Sequence, residues 1–376
     1  HKVLGLMSTS AAHMHRNYQP KHAKSAPPKS TAYPTKPPKS IDWRDYDVID
    51  TVANQGACGS CWAFSSVEVV SAHAALDTGL SSTLSPQQLV SCAPNPHKCG
   101  GTGGCEGSTN AVAFDYIIDY GGLYIEDQYP YTAFYNGYTG GNVSACSTPP
   151  NIPSASFQPQ VTIDGYVVLT TNDYDDLYDT LGTKGPVGVS VDARSWSAYE
   201  GGVFQGCGAN NTVEIDHAVL AVGYGKDSES GLDYWTIKNS WGTTWGEAGY
   251  IRLFREPSAA QVNCYIDPVP QDGNGCADDD ASNITVCGTC GVLSLSSYPT
   301  GAAYIGNATY FGSSSKSGGS NDDDDDDETT SDALIALICI CVLLAGALAY
   351  ILFRFKLVRK SDANGGILSQ GLMDSP

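Results

Sequence analysis

One short segment, NQGACGSCWAFSS at residues 54–66, limits what this chain can fold into more than any other. It places Cys58 and Cys61 three positions apart, directly before apolar residues at helical spacing, namely Ala63, Val67, Val70 and Ala74. Apolar residues that recur every three to four positions predict a helix with a buried face, and Gly79 is a typical stop. We therefore expect a buried helix that begins close to Cys61.

Three roles are open for the pair Cys58-Gly-Ser-Cys61. Zinc binding would join it with Cys287-Gly-Thr-Cys290, but that pair lies far along the chain, in what other features indicate is an oxidising compartment. A thioredoxin-like redox pair needs a preceding βαβ pattern, which is not visible before residue 58. The third role makes Cys58 a disulfide partner and Cys61 a thiolate at a helix N-terminus, where the helix dipole lowers a thiol pKa. Such a thiolate predicts a histidine with an orienting partner elsewhere in the chain.

His217 in EIDHAVLAVGYG and Asn239 in YWTIKNSWGTTWGEAGYIRL supply that histidine and its partner. With them, the chain resembles the papain-like cysteine peptidases, which include the cathepsins. The elements NQGxCGSCWAFS, LSPQQLVSC, GCEG, DHAV, KNSWGxxWGExGY and SYP occur in order, and the resemblance covers about residues 40–300. It implies a thiol endopeptidase that acts on polypeptides and needs no cofactor and no metal.

The resemblance implies a role for each candidate catalytic residue. Cys61 is the expected nucleophile, and His217 first stabilises the thiolate as an imidazolium, then protonates the leaving amine and activates water. Asn239 is expected to orient the imidazole through its side-chain carbonyl, and Trp241 to shield that hydrogen bond from water. Gln55 is expected to donate a side-chain N–H to the oxyanion beside the backbone N–H of Cys61. Losing one such donor costs about 3 kcal/mol.

The resemblance also implies a set of substrate-binding residues, namely Gly107, Ser108, Asn110, Ser190, Ile215, Asp216, Leu295 and Trp241. Leu295, at the floor of the main selectivity pocket, predicts an apolar side chain two residues before the cut, because an unpaired buried Arg is costly. Ser108 departs from the family by replacing the second glycine of GCxGG. No His-rich occluding loop is visible in the sequence, which favours an endopeptidase over an exopeptidase.

The predicted fold class is α+β. Residues 40–300 are expected to form a two-lobe papain-like fold, with a helical N-terminal lobe, a β-rich C-terminal lobe and the active-site cleft between them. Further helices are predicted after the capping box that begins at Ser85, over about 108–120, and around 174–181. Strands are predicted in PVGVSVDA, HAVLAVGYG, DYWTIKNS and GYIRLF, which are rich in branched and aromatic residues.

Most of the thirteen cysteines are expected to form disulfides. The resemblance implies three pairs, Cys58 with Cys105, Cys92 with Cys146, and Cys207 with Cys290. Four further cysteines, Cys99, Cys264, Cys276 and Cys287, allow three pairings between which the sequence does not choose. The last three of them lie in an insertion at about 256–289 that ordinary family members lack.

An uninterrupted apolar run at residues 333–353 is long enough to cross a bilayer as a single C-terminal transmembrane helix. Acidic residues precede the run and basic residues follow it, so the positive-inside rule places the tail, 354–376, in the cytosol. The sequence thus predicts a single-pass type I membrane protein with a Gly/Ser/Asp stalk at 301–332. Four glycosylation sequons fall on the luminal or extracellular side, at Asn142, Asn210, Asn283 and Asn307.

Charge is distributed unevenly along the chain. Residues 1–39 form a flexible Pro/Lys-rich arm, which we expect to be the tail of an inhibitory prosegment of a zymogen. Acidic residues then predominate, and the net charge of −20 excludes nucleic acid as a partner. A surface that loses self-repulsion as its carboxylates protonate suits an acidic vesicle, such as a lysosome or vacuole. Cystatin-like inhibitors are further expected partners.

Two alternative functions remain open on the sequence. The first is a membrane-tethered binding or adhesion module on an inactive peptidase scaffold, whose expected mark would be loss of Cys61 or His217; both are present. The second is a peptide ligase or transpeptidase that uses the same acyl-enzyme.

Overall fold

The predicted helix after Cys61 is the central helix of the structure. This computed structural model describes residues 34–134, 159–279 and 282–305, together with His22 and Cys146. Helix α1 spans Cys61–Thr78, and Gly79 ends it with a φ of 74°. Most of its side chains between Trp62 and Ala75 are buried. A helix that is buried on several faces lies in the core instead of covering it.

Three further helices lie near the predicted positions. They are α2 (Pro86–Cys92), α3 (Asn110–Tyr120) and α4 (Tyr174–Thr183). The capping box at Ser85 forms only in part, because Ser85 Oγ accepts from Gln88 N at 3.2 Å while the side-chain oxygen of Gln88 accepts from Tyr124 N instead. The second hydrogen bond of the predicted capping box, from Ser85 N to the Gln88 side chain, is therefore wrong. The Gln88 side-chain oxygen bonds to the backbone N–H of Tyr124, which is distant in the sequence.

The strands concentrate in the second half of the chain. They are β1 (Ile41–Asp42), β2 (Val161–Thr162), β3 (Gly165–Val168), β4 (Val187–Val191), β5 (Val203–Phe204), β6 (His217–Lys226), β7 (Asp233–Lys238), β8 (Tyr250–Phe254), β9 (Cys264–Asp267), β10 (Ile284–Cys287), β11 (Ser296–Thr300) and β12 (Ala303–Tyr304). The main sheet has the order β3-β11-β4-β6-β7-β8-β5, with β1 also paired to β6. Its pairs are antiparallel except β5 with β8. The helix-rich first half and the sheet-rich second half agree with the α+β prediction.

Helix α1 packs on strand β6 of this sheet. Ser65 Oγ donates to the backbone oxygen of Val219 at 3.0 Å, which ties the two elements together inside the core. Further along α1, the Glu68 carboxylate lies 2.9 Å from the ammonium group of Lys238, the last residue of β7. The Lys238 side chain is fully buried and the Glu68 side chain nearly so. The start of α1 is therefore fixed relative to the start of β6.

Five disulfides join the described cysteines. The structure pairs Cys58 with Cys105, Cys92 with Cys146, and Cys207 with Cys290. It also pairs the four cysteines whose partners the sequence left open: Cys99 bonds to Cys276, and Cys264 bonds to Cys287. Cys61 is the free cysteine of the described part of the chain. Since Cys58, Cys287 and Cys290 are all in disulfides, the zinc and redox roles for the Cys58-Cys61 pair are excluded.

The insertion folds as a hairpin of its own. Strands β9 and β10 pair antiparallel, with Cys287 opposite Cys264, and the disulfide between these residues closes the base. Val213 N donates to Ile266 O at 3.1 Å, so the hairpin lies against the segment that leads into β6.

The predicted membrane helix falls outside this structural description. No helix among residues 34–134, 159–279 and 282–305 is both long and apolar enough to span a bilayer. The run at 333–353, most of the stalk, the tail, and the sequons at Asn142 and Asn307 lie outside the described residues.

Candidate active site

Cys61 and His217 each begin a regular element. Cys61 is the first residue of α1, and His217 is the first residue of β6. Ser60, at the N-cap of α1, makes no side-chain cap hydrogen bond, and the backbone N–H of Trp62 in the first turn bonds to the Cys61 sulfur instead. The packing of α1 on β6 therefore brings the thiol and the imidazole together from positions 61 and 217.

The electrostatics of the two residues favour an ion pair. Burial acts to raise the pKa of the Cys61 thiol, but hydrogen bonding and charge from His217 outweigh it, and the pKa is lowered overall. Burial acts to lower the pKa of His217, but the Cys61 thiolate and the hydrogen bond to Asn239 outweigh it, and that pKa is raised. These are the directions that a thiolate facing an imidazolium requires.

Asn239 and the tryptophans around it orient the imidazole. His217 Nε2 lies 2.8 Å from Asn239 Oδ1, which leaves Nδ1 for the thiol. Because a carbonyl oxygen can only accept, Nε2 must carry a proton. The Trp241 ring lies 5.1 Å from the imidazole centroid, and Trp196 contacts it edge-on at 6.1 Å. Asn239 itself is almost completely buried, so this hydrogen bond is kept away from water.

Hydrogen bonds hold both ends of the Gln55 side chain close to the start of α1. Its Nε2 donates to Cys58 O at 3.0 Å, and its Oε1 accepts from Ser240 Oγ at 2.7 Å. The backbone N of Gln55 also donates to Ser240 O at 2.9 Å. An amide held in this way keeps its second N–H in a defined direction, as an oxyanion donor requires.

One cavity, of about 260 Å³, contains Cys61 and His217. Most of the predicted substrate-binding residues line it, namely Gly107, Ser108, Ser190, Ile215 and Asp216. Ala218 lies on the same wall. The cavity thus brings together residues from the loop before α3, from β4, and from the segment that enters β6.

Three predicted substrate-binding residues are not part of this lining. The Asn110 amide donates to Ser65 Oγ at 3.0 Å, so its side chain is engaged with α1. Leu295 lies behind Ser190, whose backbone N donates to Leu295 O at 3.0 Å. Trp241 covers the imidazole instead of the cavity.

Sequence reasoning missed Gly100, Glu106, Asp272 and Gly273, which also line the cavity. Asp272 and Gly273 come from the insertion, which approaches the cavity because Cys276 is bonded to Cys99. The one sequence signal for Asp272 and Gly273 was Cys99, which needed a disulfide partner. The sequence did not identify that partner among the four cysteines whose pairing it left open.

The chain belongs to the papain family of cysteine proteases. The sequence profile described as "Papain family cysteine protease" matches residues 37–269, more than half of the chain. The chain is 38% identical over 266 residues to the oryzain beta chain of Oryza sativa subsp. japonica, covering 70% of this chain and 46% of that protein. It is 39% identical over 224 residues to cathepsin L of Sarcophaga peregrina, covering 58% of this chain and 59% of that protein. The chain therefore spans about half the length of the curated relatives it matches.

Solved structures agree with this family. Bromelain from Ananas comosus in complex with the E64 inhibitor superposes with a TM-score of 0.53 at 34% identity, covering 70% of this chain and 99% of that one. Digestive procathepsin L 3 of Tenebrio molitor larval midgut gives a TM-score of 0.53 at 31% identity, covering 78% and 79%. The fold is therefore papain-like.

Proposed function

We propose that this chain is a cysteine endopeptidase that cleaves peptide bonds through a thioester acyl-enzyme. The Cys61 thiolate attacks the peptide carbonyl, and His217 gives its proton to the departing amine. Water then attacks the thioester, with His217 taking a proton from that water, and the acid product leaves as the Cys61 sulfur is released. The observation that carries this proposal is the opposite pKa shift of Cys61 and His217 beside the 2.8 Å Asn239 hydrogen bond.

The oxyanion of the tetrahedral intermediate has two donors at hand. They are the backbone N–H of Cys61 at the start of α1 and the Gln55 side chain, which Ser240 holds at 2.7 Å. Donors that are already positioned stabilise the developing charge without reorganising during the reaction.

We place an apolar substrate side chain, two residues before the cut, against Ile215, Ala218 and Ser190, with Leu295 behind them. Ile215 and Ala218 give this position an apolar wall, which disfavours an unpaired cation there. Capped fluorogenic dipeptides Leu-Arg and Arg-Arg test this assignment. A higher kcat/KM for Leu-Arg is expected, and a preference for Arg-Arg would overturn it.

The proposed setting is the lumen of an acidic vesicle, or the extracellular side, with the run at 333–353 as the anchor. Two buried carboxyl groups support low pH, because burial raises the pKa of Asp267 and Glu256. Such groups cost stability once they ionise. The sequons at Asn210 and Asn283 are exposed and accessible to glycosylation.

Thiol labelling tests the catalytic proposal most directly. An epoxide that alkylates active-site thiols is expected to add once to the purified luminal chain and to abolish hydrolysis. Cys61→Ala should remove both the label and the activity while leaving the melting temperature close to that of the wild type. Labelling that persists in Cys61→Ala would contradict the assignment. An added amine nucleophile then separates hydrolysis from ligation, since a ligase would yield the amide as its main product.

A further inference from the structure

The insertion crosses from one side of the catalytic cavity to the other. Residues 268–277, here called the strap, follow β9 in the loop between β9 and β10, and they contact the loop that follows α2. On one side, Gly273 packs so closely against Ile215 that a Cβ atom would overlap the Ile215 carbonyl oxygen. On the other side, Gly100 N donates to Gly275 O at 2.8 Å, and Cys276 is bonded to Cys99. The strap therefore contacts both walls of the cavity.

Buried hydrogen bonds hold the strap and the residue that precedes it in place. Asn274 Nδ2 donates to Ser294 Oγ at 3.0 Å, and both residues are completely buried. Before the strap, the Asp267 carboxylate accepts from Ile215 N at 3.2 Å and from Val269 N at 2.9 Å. A segment held by a disulfide and by buried hydrogen bonds acts as a wall of the cavity, because moving it would expose those groups.

The position of the strap relates to one end of the substrate. In the proposed function, Ile215 contacts the residue two positions before the cut, and Gly273 of the strap packs against Ile215. Gly100 packs closely against both Gly273 and the backbone of Ser108. The strap therefore lies beside the position proposed for the part of the substrate that precedes the cut.

Asp272 gives this wall a negative charge. It lines the cavity, is exposed, and makes no side-chain hydrogen bond or ion pair within the described chain. Glu106 also lines the cavity and is exposed. Ser108, only 8% exposed, has a hydroxyl without a hydrogen-bond partner among the described residues. The strap end of the cavity thus combines free acidic groups with an unused polar group beside an apolar pocket.

We propose that the strap forms a wall at the N-terminal end of the substrate groove and that its Asp272 binds a cationic group of the substrate, upstream of the residue in the apolar pocket. This inference rests on the proposed function. The cation has two chemical sources, a free α-ammonium group on a short N-terminal segment or a Lys or Arg side chain. Asp272 is then a specificity-determining residue of the proposed reaction.

Two pairs of fluorogenic amide substrates distinguish the sources. Leu-Gln with a free amino terminus is compared with acetyl-Leu-Gln, and acetyl-Lys-Leu-Gln is compared with acetyl-Gln-Leu-Gln. We expect kcat/KM to favour the cationic member of at least one pair by about fivefold, the effect of one partly exposed ion pair. The first pair reports the α-ammonium, and the second reports the side chain.

Asp272→Asn should abolish this preference, whereas Asp278→Asn is the matched control. Asp278 is an exposed acid of the same insertion that does not line the cavity, and its loss changes the net charge equally. The role of Asp272 is overturned if neither pair has a cation preference, or if the preference persists in Asp272→Asn. Hydrolysis of acetyl-Gln-Leu-Gln by all three proteins reports the proposed peptidase separately, so its failure would be distinguishable.

Discussion

The side-chain oxygen of Gln55 accepts a hydrogen bond from Ser240 Oγ at 2.7 Å, although the two residues are 185 positions apart. Ser240 directly follows Asn239, and its backbone N donates to Asn239 Oδ1 at 2.8 Å. One serine therefore bonds both to Gln55, the proposed oxyanion donor, and to Asn239, which accepts from the imidazole. This connection makes Ser240 a positioning residue of the candidate active site.

Ser240→Ala is expected to lower kcat about tenfold with little change in KM, because the Gln55 amide loses the bond that directs it. Gln55→Ala should lower kcat by about a hundredfold or more, since it removes the donor itself. Steady-state kinetics on one peptide substrate measure both effects. Ser258→Ala is the matched control, because Ser258 Oγ donates to Gln261 Oε1 at 3.0 Å on the surface. Equal losses in Ser240→Ala and Ser258→Ala would contradict the positioning role.

Asn239 is predicted to set the alkaline limit of activity. Its hydrogen bond contributes to the raised pKa of His217, and activity is lost as rising pH removes the imidazolium proton. Asn239→Ala should therefore lower kcat/KM and move the alkaline limb of the pH profile to lower pH. Asn239→Asp keeps the acceptor and adds a negative charge, so it should move the limb to higher pH. Limbs that coincide in both variants would refute this role.

Glu126 is predicted to make the protein less stable at neutral pH than in acid. Burial raises the pKa of this carboxyl to about 7 from 4.5, and its Oε1 accepts from Tyr131 N at 2.6 Å. Because the folded chain holds the proton more tightly than the unfolded chain, stability is lost as pH rises from about 4.5 through about 7.

Glu126→Gln keeps an acceptor for Tyr131 and removes the titration. The free energy of unfolding at pH 8, measured with urea, is expected to rise by about 1 to 2 kcal/mol relative to wild type, after discounting the partial exposure of the carboxyl. Little difference is expected at pH 4. The neighbouring Asp127→Asn serves as the exposed control. An equal effect of Glu126→Gln at both pH values would argue against a raised pKa.

His73 is predicted to make the protein less stable in acid than at neutral pH, the opposite of Glu126. Burial lowers the pKa of His73 to about 4 from 6.5, and its Nε2–H donates to Pro186 O at 2.9 Å. A depressed folded-state pKa means that this contribution to stability is present above about pH 6.5 and is lost as pH falls through about 4. His73→Gln should therefore flatten the loss of unfolding free energy between pH 7 and pH 4 by about 2 kcal/mol. An unchanged acid slope in urea titrations would contradict the assignment.

Local features of the fold could be predicted from the sequence, because neighbouring residues encode them. The apolar spacing after Cys61 and the Gly79 stop predicted α1, which the structure places at Cys61–Thr78. The branched and aromatic runs predicted the strands that became β4 and β6 to β8. Family membership followed from motifs at Cys61, His217 and Asn239, whose order along the chain is itself a sequence property.

The tertiary structure decided what depends on the path of the chain between distant residues. The sequence allowed three pairings for Cys99, Cys264, Cys276 and Cys287, and only the docking of the hairpin beside Val213 selected one. The same docking carried Asp272 to the cavity, where no local pattern placed it. Spacing along a chain determines helices, strands and motifs, because these form between near neighbours. Contacts such as Gln55 with Ser240 exist only after packing closes the loops between them.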